Sequence, residues 1–335
     1  VSSPPAPPVT SSTLQLRGFA IVIGAAALFG TLGVTSRYAY AAGMEPPAFV
    51  AWRAMIGFLG LALFLAWRVR RGDTLLVRFF DLPVRARIAL LAAALAGTVL
   101  NLCMFIAFDL ITIALALLGF YTYPALVAVA NVALGRERMD WWRGLALALA
   151  IAGMVAVVAA QLDPAAGIRF DVVGIALALG AAVSQTLFVL LARDGYPEVP
   201  TEQAMTTVLL MSAVGALIVA LVAGGAGSLV EPIRSPDLLP LLLFTGIAAA
   251  AVPSLAFLTG IRLIGGTRAG ILMLFEPVVG VALAAWLLAE PLAPIQVVGG
   301  FAVLGAAVLL QRSSGPTATA DELDEVRPVI VPGGP

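Results

Sequence analysis

Histidine and lysine are both missing from the 335 residues, and cysteine occurs once, as Cys103. A P-loop needs its lysine against nucleotide phosphates, so ATP hydrolysis by that motif is excluded within this chain. Pyridoxal chemistry needs a Schiff-base lysine, and Ser-His-Asp or Cys-His catalysis needs an imidazole. A zinc or other soft-metal site lacks its ligands, one cysteine closes no intramolecular disulfide, and no cofactor is expected. Charge is scarce too: 11% of residues carry it, 19 basic against 19 acidic, for a formal net charge of zero. That removes the basic footprint of a nucleic-acid binder. What fills the chain is apolar, 61% of it, against about 45–50% in an ordinary soluble domain. A water-soluble globule is excluded. Ten membrane spans of about 20 residues would use roughly 200 positions and absorb the excess.

Uncharged runs of spanning length recur with short breaks: Gly18–Ser36, Ile88–Phe108, Leu110–Gly135, Gly144–Leu162, Val172–Ala192, Gln203–Val230, Leu238–Ile261 and Pro291–Gln311. Two more, Pro46–Trp67 and Ala269–Ala289, each hold one charge, Arg53 and Glu276. Lipid offers the backbone no hydrogen-bond partner, so such continuous runs are helices, not alternating barrel strands. The expectation is an all-α membrane protein of ten helices. Residues 1–16, rich in Pro, Ser and Thr, lack the apolar stretch of a signal peptide and read as a disordered tail. Residues 313–335 read as another.

Every basic residue is an arginine, and their distribution sets an orientation. Fifteen of the nineteen fall in one alternate set of connections and termini; Arg37, Arg169 and Arg234 fall in the other, and Arg53 lies within a span. Both termini are therefore expected in the cytoplasm. The connection from Arg68 to Arg87 reads as a cationic anchor beside anionic lipid. Trp67, Trp141 and Trp142, at span ends, read as interfacial belt residues.

The chain also resembles itself. A shift of 153 lays Leu110-Ile111 on Leu263-Ile264, Ala116 on Ala269, Pro124 on Pro277 and Glu137 on Glu290. An earlier block matches at a shift of 156, with Gly18 on Gly174 and Arg37 on Arg193. Two five-helix repeats follow, residues 17–162 and 171–312. Five is odd, so the second repeat enters the membrane from the opposite side, an inverted repeat of the kind on which many secondary transporters are built. Asp109 and Arg262, at equivalent turns, swap sign as inverted copies require.

Tyr121-Thr-Tyr-Pro124 leading to Gly135-Arg-Glu137, and Leu274-Phe-Glu-Pro277 leading to Leu288-Ala-Glu290-Pro291, carry a family resemblance, with Phe29-Gly30 and Trp52-Arg53 in support. From Arg17 to Gln311 the chain resembles the EamA-type branch of the drug/metabolite transporter superfamily. The resemblance implies ten helices around a central cavity, with helices 1, 3, 4, 6, 8 and 9 closest to it. It also implies export of small organic solutes such as amino acids. Tyr123 stands where the second repeat has Glu276, so a family role for the acid carries only onto the second half.

Glu276 is the sole acid deep in a span, and an ionisable group at such depth is by default functional. It would contact a substrate ammonium or take up a proton; a structural partner on a neighbouring helix is the competing reading. Arg53 either snorkels outward or anchors a carboxylate or a helix-packing ion pair, with packing favoured. Asn101 and Ser254 are repeat equivalents, as are Tyr123 and Glu276, which brings polar groups of both halves to similar depth. Ser184, Gln185 and Tyr121 add hydrogen-bonding groups that serve a ligand or join helices. Pro124, Pro277, Glu137 and Glu290 read as structural or gating residues, the two acids capping helix ends on opposite sides. Gly144, Gly153, Gly299, Gly300 and Gly305 read as close-packing positions.

These features describe a bacterial inner-membrane secondary transporter, not an enzyme, that exports small metabolites, amino acids foremost, by alternating access. Its expected partners are the small-molecule substrate and the lipid bilayer. The competing readings are an exporter of drug-like or lipid-like amphiphiles, which a mainly aromatic and aliphatic cavity would favour, and, remotely, an intramembrane enzyme.

Overall fold

The computed structural model describes residues 11–160, 170–223, 226–287 and 293–312. Nine of its helical segments are long and apolar enough to cross a membrane. In the first half these are Leu14–Ala41, Pro46–Arg70, Val84–Leu110, Ile113–Ala133 and Trp141–Ala159; in the second, Val172–Asp194, Thr201–Val222, Leu238–Ile264 and Gly266–Leu283. A shorter apolar helix, Pro294–Leu310, follows. They are called here the first to tenth spans. The first helix starts at Ser11, inside the stretch read as a tail: Ser11-Ser12-Thr13 are residues that favour helix starts, and no Gly or Pro intervenes before Gly18. The remainder of that tail and all of the second lie outside the described residues.

Large apolar side chains cover the outside of the bundle, among them Leu63, Val129, Val183 and Phe301, whereas much of its interior is alanine: Ala93, Ala94, Ala146, Ala150, Ala182 and Ala216 are buried. Lipid tails are as apolar as leucine, so helices gain nothing from hiding leucine from lipid and instead approach closely through small residues. The fifth and tenth spans show how closely. A Cβ on Gly153 would lie 2.6 Å from the Gly299 carbonyl oxygen, and one on Gly299 would lie 2.5 Å from that of Gly153.

The first span packs on the eighth, the third on the sixth, the second on the seventh, the fourth on the ninth and the fifth on the tenth. Renumbering each span by its repeat partner exchanges the first two pairs and maps the other three onto themselves. This is the contact pattern of two inverted repeats about a pseudo-two-fold axis.

Four spans are interrupted. The first breaks between Phe29 and Leu32, the fourth between Phe120 and Tyr123, and the ninth between Met273 and Glu276. The eighth loosens into a π-turn over Ile247–Ala251. Proline, which cannot donate to the preceding turn, follows three of these breaks, at Pro124, Pro253 and Pro277. Hydroxyls take up part of the freed backbone: Thr31 donates to the Leu28 carbonyl at 2.7 Å and Thr122 to that of Gly119 at 2.7 Å. The break in the first span abuts that in the ninth, since a Cβ on Gly30 would sit 2.8 Å from the Glu276 carbonyl oxygen.

Among the glycines read as packing positions, Gly144 has open space around it, unlike Gly153 and Gly299. Gly299→Ala drives a methyl into a carbonyl that its own helix fixes in place. It is expected to cost about 1–3 kcal/mol, read as a lower melting temperature in detergent, while Gly144→Ala leaves the melting temperature unchanged.

Candidate functional site

The interrupted spans surround a central cavity of about 240 Å³. Its walls are mostly aromatic and aliphatic, with Phe29, Phe105, Phe108, Phe120, Phe188 and Phe257 among them. Of the residues singled out in the sequence, Asn101, Tyr121, Tyr123, Gln185, Ser254, Glu276 and Pro277 reach this cavity. Both repeat-equivalent pairs, Asn101 with Ser254 and Tyr123 with Glu276, are therefore brought to one place. For Tyr123 and Glu276 the paired breaks of the fourth and ninth spans account for this, because each residue opens a helix segment after its break.

Arg53 reaches it as well. The snorkelling alternative does not fit its position, since the side chain is only 5% exposed and turns inward from the second span, while a bond to the third span agrees with a packing role. It donates to Asn101 Oδ1, and its guanidinium carbon lies 4.8 Å from the centre of the Phe105 ring. Asn101 is held in turn by donating to the Gly97 carbonyl at 2.8 Å. With Met205, Val208, Leu209 and Ser212 of the seventh span also in the wall, the second and seventh spans line a cavity from which the family pattern kept them apart. Gly57 on the second span explains their approach, its Cα facing Leu209 and the Gly246 carbonyl.

Glu276 opens the helix Glu276–Leu287, at the positive end of its dipole. Tyr121 lies beside it, within range to interact, although the Tyr121 hydroxyl closes no hydrogen bond of ordinary geometry. Arg53 and Glu276 feel each other's charge without forming an ion pair. Arg53 Nε and the Tyr40 hydroxyl are likewise buried and unpartnered. Buried polar atoms without partners are few in folded proteins and call for an explanation. Here Arg53 and Tyr121 line the cavity, and Tyr40 lies close enough to Arg53 to feel its charge.

Three candidates lie elsewhere. Ser184, half-buried on the sixth span, is not in the cavity wall, because its neighbour Gln185 takes the inward face. Pro124 is buried against Gly270 of the ninth span, where it joins the two halves. Glu137 pairs with Arg193 at 2.9 Å, away from the cavity. Glu290 lies outside the described residues. Sequence reasoning missed the phenylalanines, since apolar residues within apolar spans carry no mark of which side they face. It also missed Gln296 of the tenth span, a polar residue near a helix start with nothing to separate it from a capping group.

A family model described as the EamA-like transporter family matches residues 16–159 and 172–312, five apolar helices in each block. Among solved structures, one titled "Crystal structure of protein" is 20% identical over 90% of this chain and 97% of its own, with a TM-score of 0.71. That likeness is one of fold. No curated protein matches the chain.

Arg53 is aimed by Asn101, so Asn101→Ala strands a buried guanidinium. The expected loss is about 1.5–3 kcal/mol, the range for hydrogen bonds to charged groups, seen as a lower melting temperature; Asn101→Asp, which keeps the acceptor, retains most of the parent stability.

Proposed function

The chain belongs to the EamA-like transporter family, and from that premise we propose that it exports small zwitterionic metabolites, amino acids with large apolar side chains foremost. Export runs by alternating access across a bacterial inner membrane, with both termini in the cytoplasm. The observation that carries this reading is the cavity itself, where a cation and an acid, Arg53 and Glu276, share one apolar chamber without neutralising each other. A solute with a carboxylate and an ammonium supplies both missing partners. Arg53, aimed by Asn101, takes the carboxylate. Glu276, beside Tyr121, takes the ammonium, and the phenylalanines take the side chain.

An unpaired charge in the membrane interior is costly, so such a solute stabilises the occupied chamber more than an uncharged one would. Orientation rests on the arginine count, fifteen to three, which puts the Arg136 to Arg143 and Arg262 to Arg268 end inside. The aromatic and aliphatic walls favour a second reading, an exporter of apolar amphiphiles. The two readings differ in whether both charges are needed.

Efflux from proteoliposomes separates them. A bulky apolar amino acid should move faster than its decarboxylated amine or its deaminated acid. Glu276→Gln should lower amino-acid efflux by about tenfold or more, the worth of a charge-assisted hydrogen bond at a buried group, and leave the acid analogue unaffected. Equal transport of all three solutes, undiminished in Glu276→Gln, would establish the amphiphile reading instead.

A further inference from the structure

The cavity does not end alike in its two directions. Towards one end its wall is half-exposed, at Leu32, Val34, Ile113 and Ala285. Towards the other, the arginine-rich end, the chain is closed by a buried layer: Val127 of the fourth span, Val189 of the sixth and Thr267 of the ninth are each at most 1% exposed. A Cβ on Gly266 would lie 2.7 Å from Val189 and 3.6 Å from Val127, so this layer has no slack.

Polar contacts between the repeats bracket the layer. Within it, Asn131 of the first repeat donates to the Thr267 hydroxyl of the second at 3.1 Å, and both residues are buried. Above it, Glu137, just beyond the fourth span, accepts from Arg193 Nη1, at the end of the sixth, at 2.9 Å. Arg136 next to it donates to the Leu190 carbonyl at 2.9 Å. The turn between the eighth and ninth spans passes beside the ion pair at Gly265, whose φ of 86° is a conformation that side chains disfavour. A Cβ there would lie 3.1 Å from Glu137 Oε1 and 3.2 Å from Arg193 Nη1. Three further charges, Arg143, Asp140 and Arg268, lie near enough to be felt here. Asp140 caps the fifth span and pairs with Arg143 at 3.5 Å, and Arg193 Nε lies 3.8 Å from Asp194 of its own repeat, so Glu137 is the acid that reaches Arg193 from the other repeat.

We propose that Glu137 and Arg193, seated against Gly265, form an ionic latch between the two repeats that holds the arginine-rich mouth of the cavity shut. Each half contributes one charge, so the mouth cannot open by movement of one repeat against the other without parting the pair. Asn131 and Thr267 part in the same motion. Both of these bonds exchange for water once the mouth is hydrated, which keeps the barrier to opening low. The valines and Gly266 form the seal, and the latch sets how long it stays closed. The proposal requires only that the repeats move against each other, so it does not depend on which solute is carried.

The test is thiol labelling of Val189→Cys in a Cys103→Ala background, in fragmented membranes where both faces are reachable. The parent should label slowly. Glu137→Gln and Arg193→Gln should each raise the rate by about threefold, the scale of a half-exposed ion pair, and Gly265→Ala should do the same by wedging between two intact charges. Exchange of the charges, Glu137→Arg with Arg193→Glu, should restore slow labelling. A general loosening of the fold would lower melting temperature and would also speed labelling of a cysteine at Ala150, far from the mouth; the latch predicts neither. Unchanged labelling in the single variants, or equal acceleration at Ala150, overturns the proposal.

Discussion

Lipid gives a peptide group nothing to bond with, and that constraint governs where this chain may depart from a continuous helix. Among the described residues the departures fall in four spans, and three of them, in the first, fourth and ninth, meet at the cavity. Irregular backbone is tolerable where it lines a cavity or is buried in protein, and the residues at these three breaks stand in the cavity wall. Thr31 and Thr122 satisfy backbone carbonyls on the protein side of these breaks.

A second constraint is charge. Within the spans the chain keeps a cation and an acid in one chamber, held by different means. Arg53 is fixed by a hydrogen bond to Asn101 and by the face of Phe105. Glu276 is fixed by its position as the first residue of a helix. Because neither depends on the other for its placement, both remain available to something that is not protein. At the arginine-rich end the opposite arrangement holds, where Glu137 and Arg193 satisfy each other and join the halves. The two pairs differ in whether each charge has its counter-charge within ion-pair distance.

Much of this was legible from residue order. Helix number, the inverted repeat and the depth of Glu276 follow from apolar run length and a shift of 153, both properties that survive without coordinates. Asn101, Tyr121, Tyr123 and Gln185 were found because polar groups in an apolar span are rare enough to stand out. Arg53 was singled out with its alternatives open, because its direction depends on which face of the second span meets the third, and a helix apolar all round gives no such face. Ser184 and Gln185 show the same limit one residue apart: both are polar and adjacent, and only the helical phase decides that Gln185 points inward. The Glu137–Arg193 contact joins residues 56 apart in different repeats, and no local pattern announces it.

The three span pairs that map onto themselves, second with seventh, fourth with ninth and fifth with tenth, are isologous contacts, the kind by which two identical subunits meet across a two-fold axis. Such a five-span unit, inserted in both orientations, would satisfy its own surfaces. A symmetric pair has a restriction, however: whatever residue stands at one wall of the chamber stands at the other. Joining the two copies in a single chain lifts it. Tyr123 and Glu276 occupy the same repeat position yet present a phenol from one side and a carboxylate from the other, and Asn101 faces Ser254 in the same way. The chamber has acquired a direction, with a head and a tail for its contents, that no assembly of identical halves can possess.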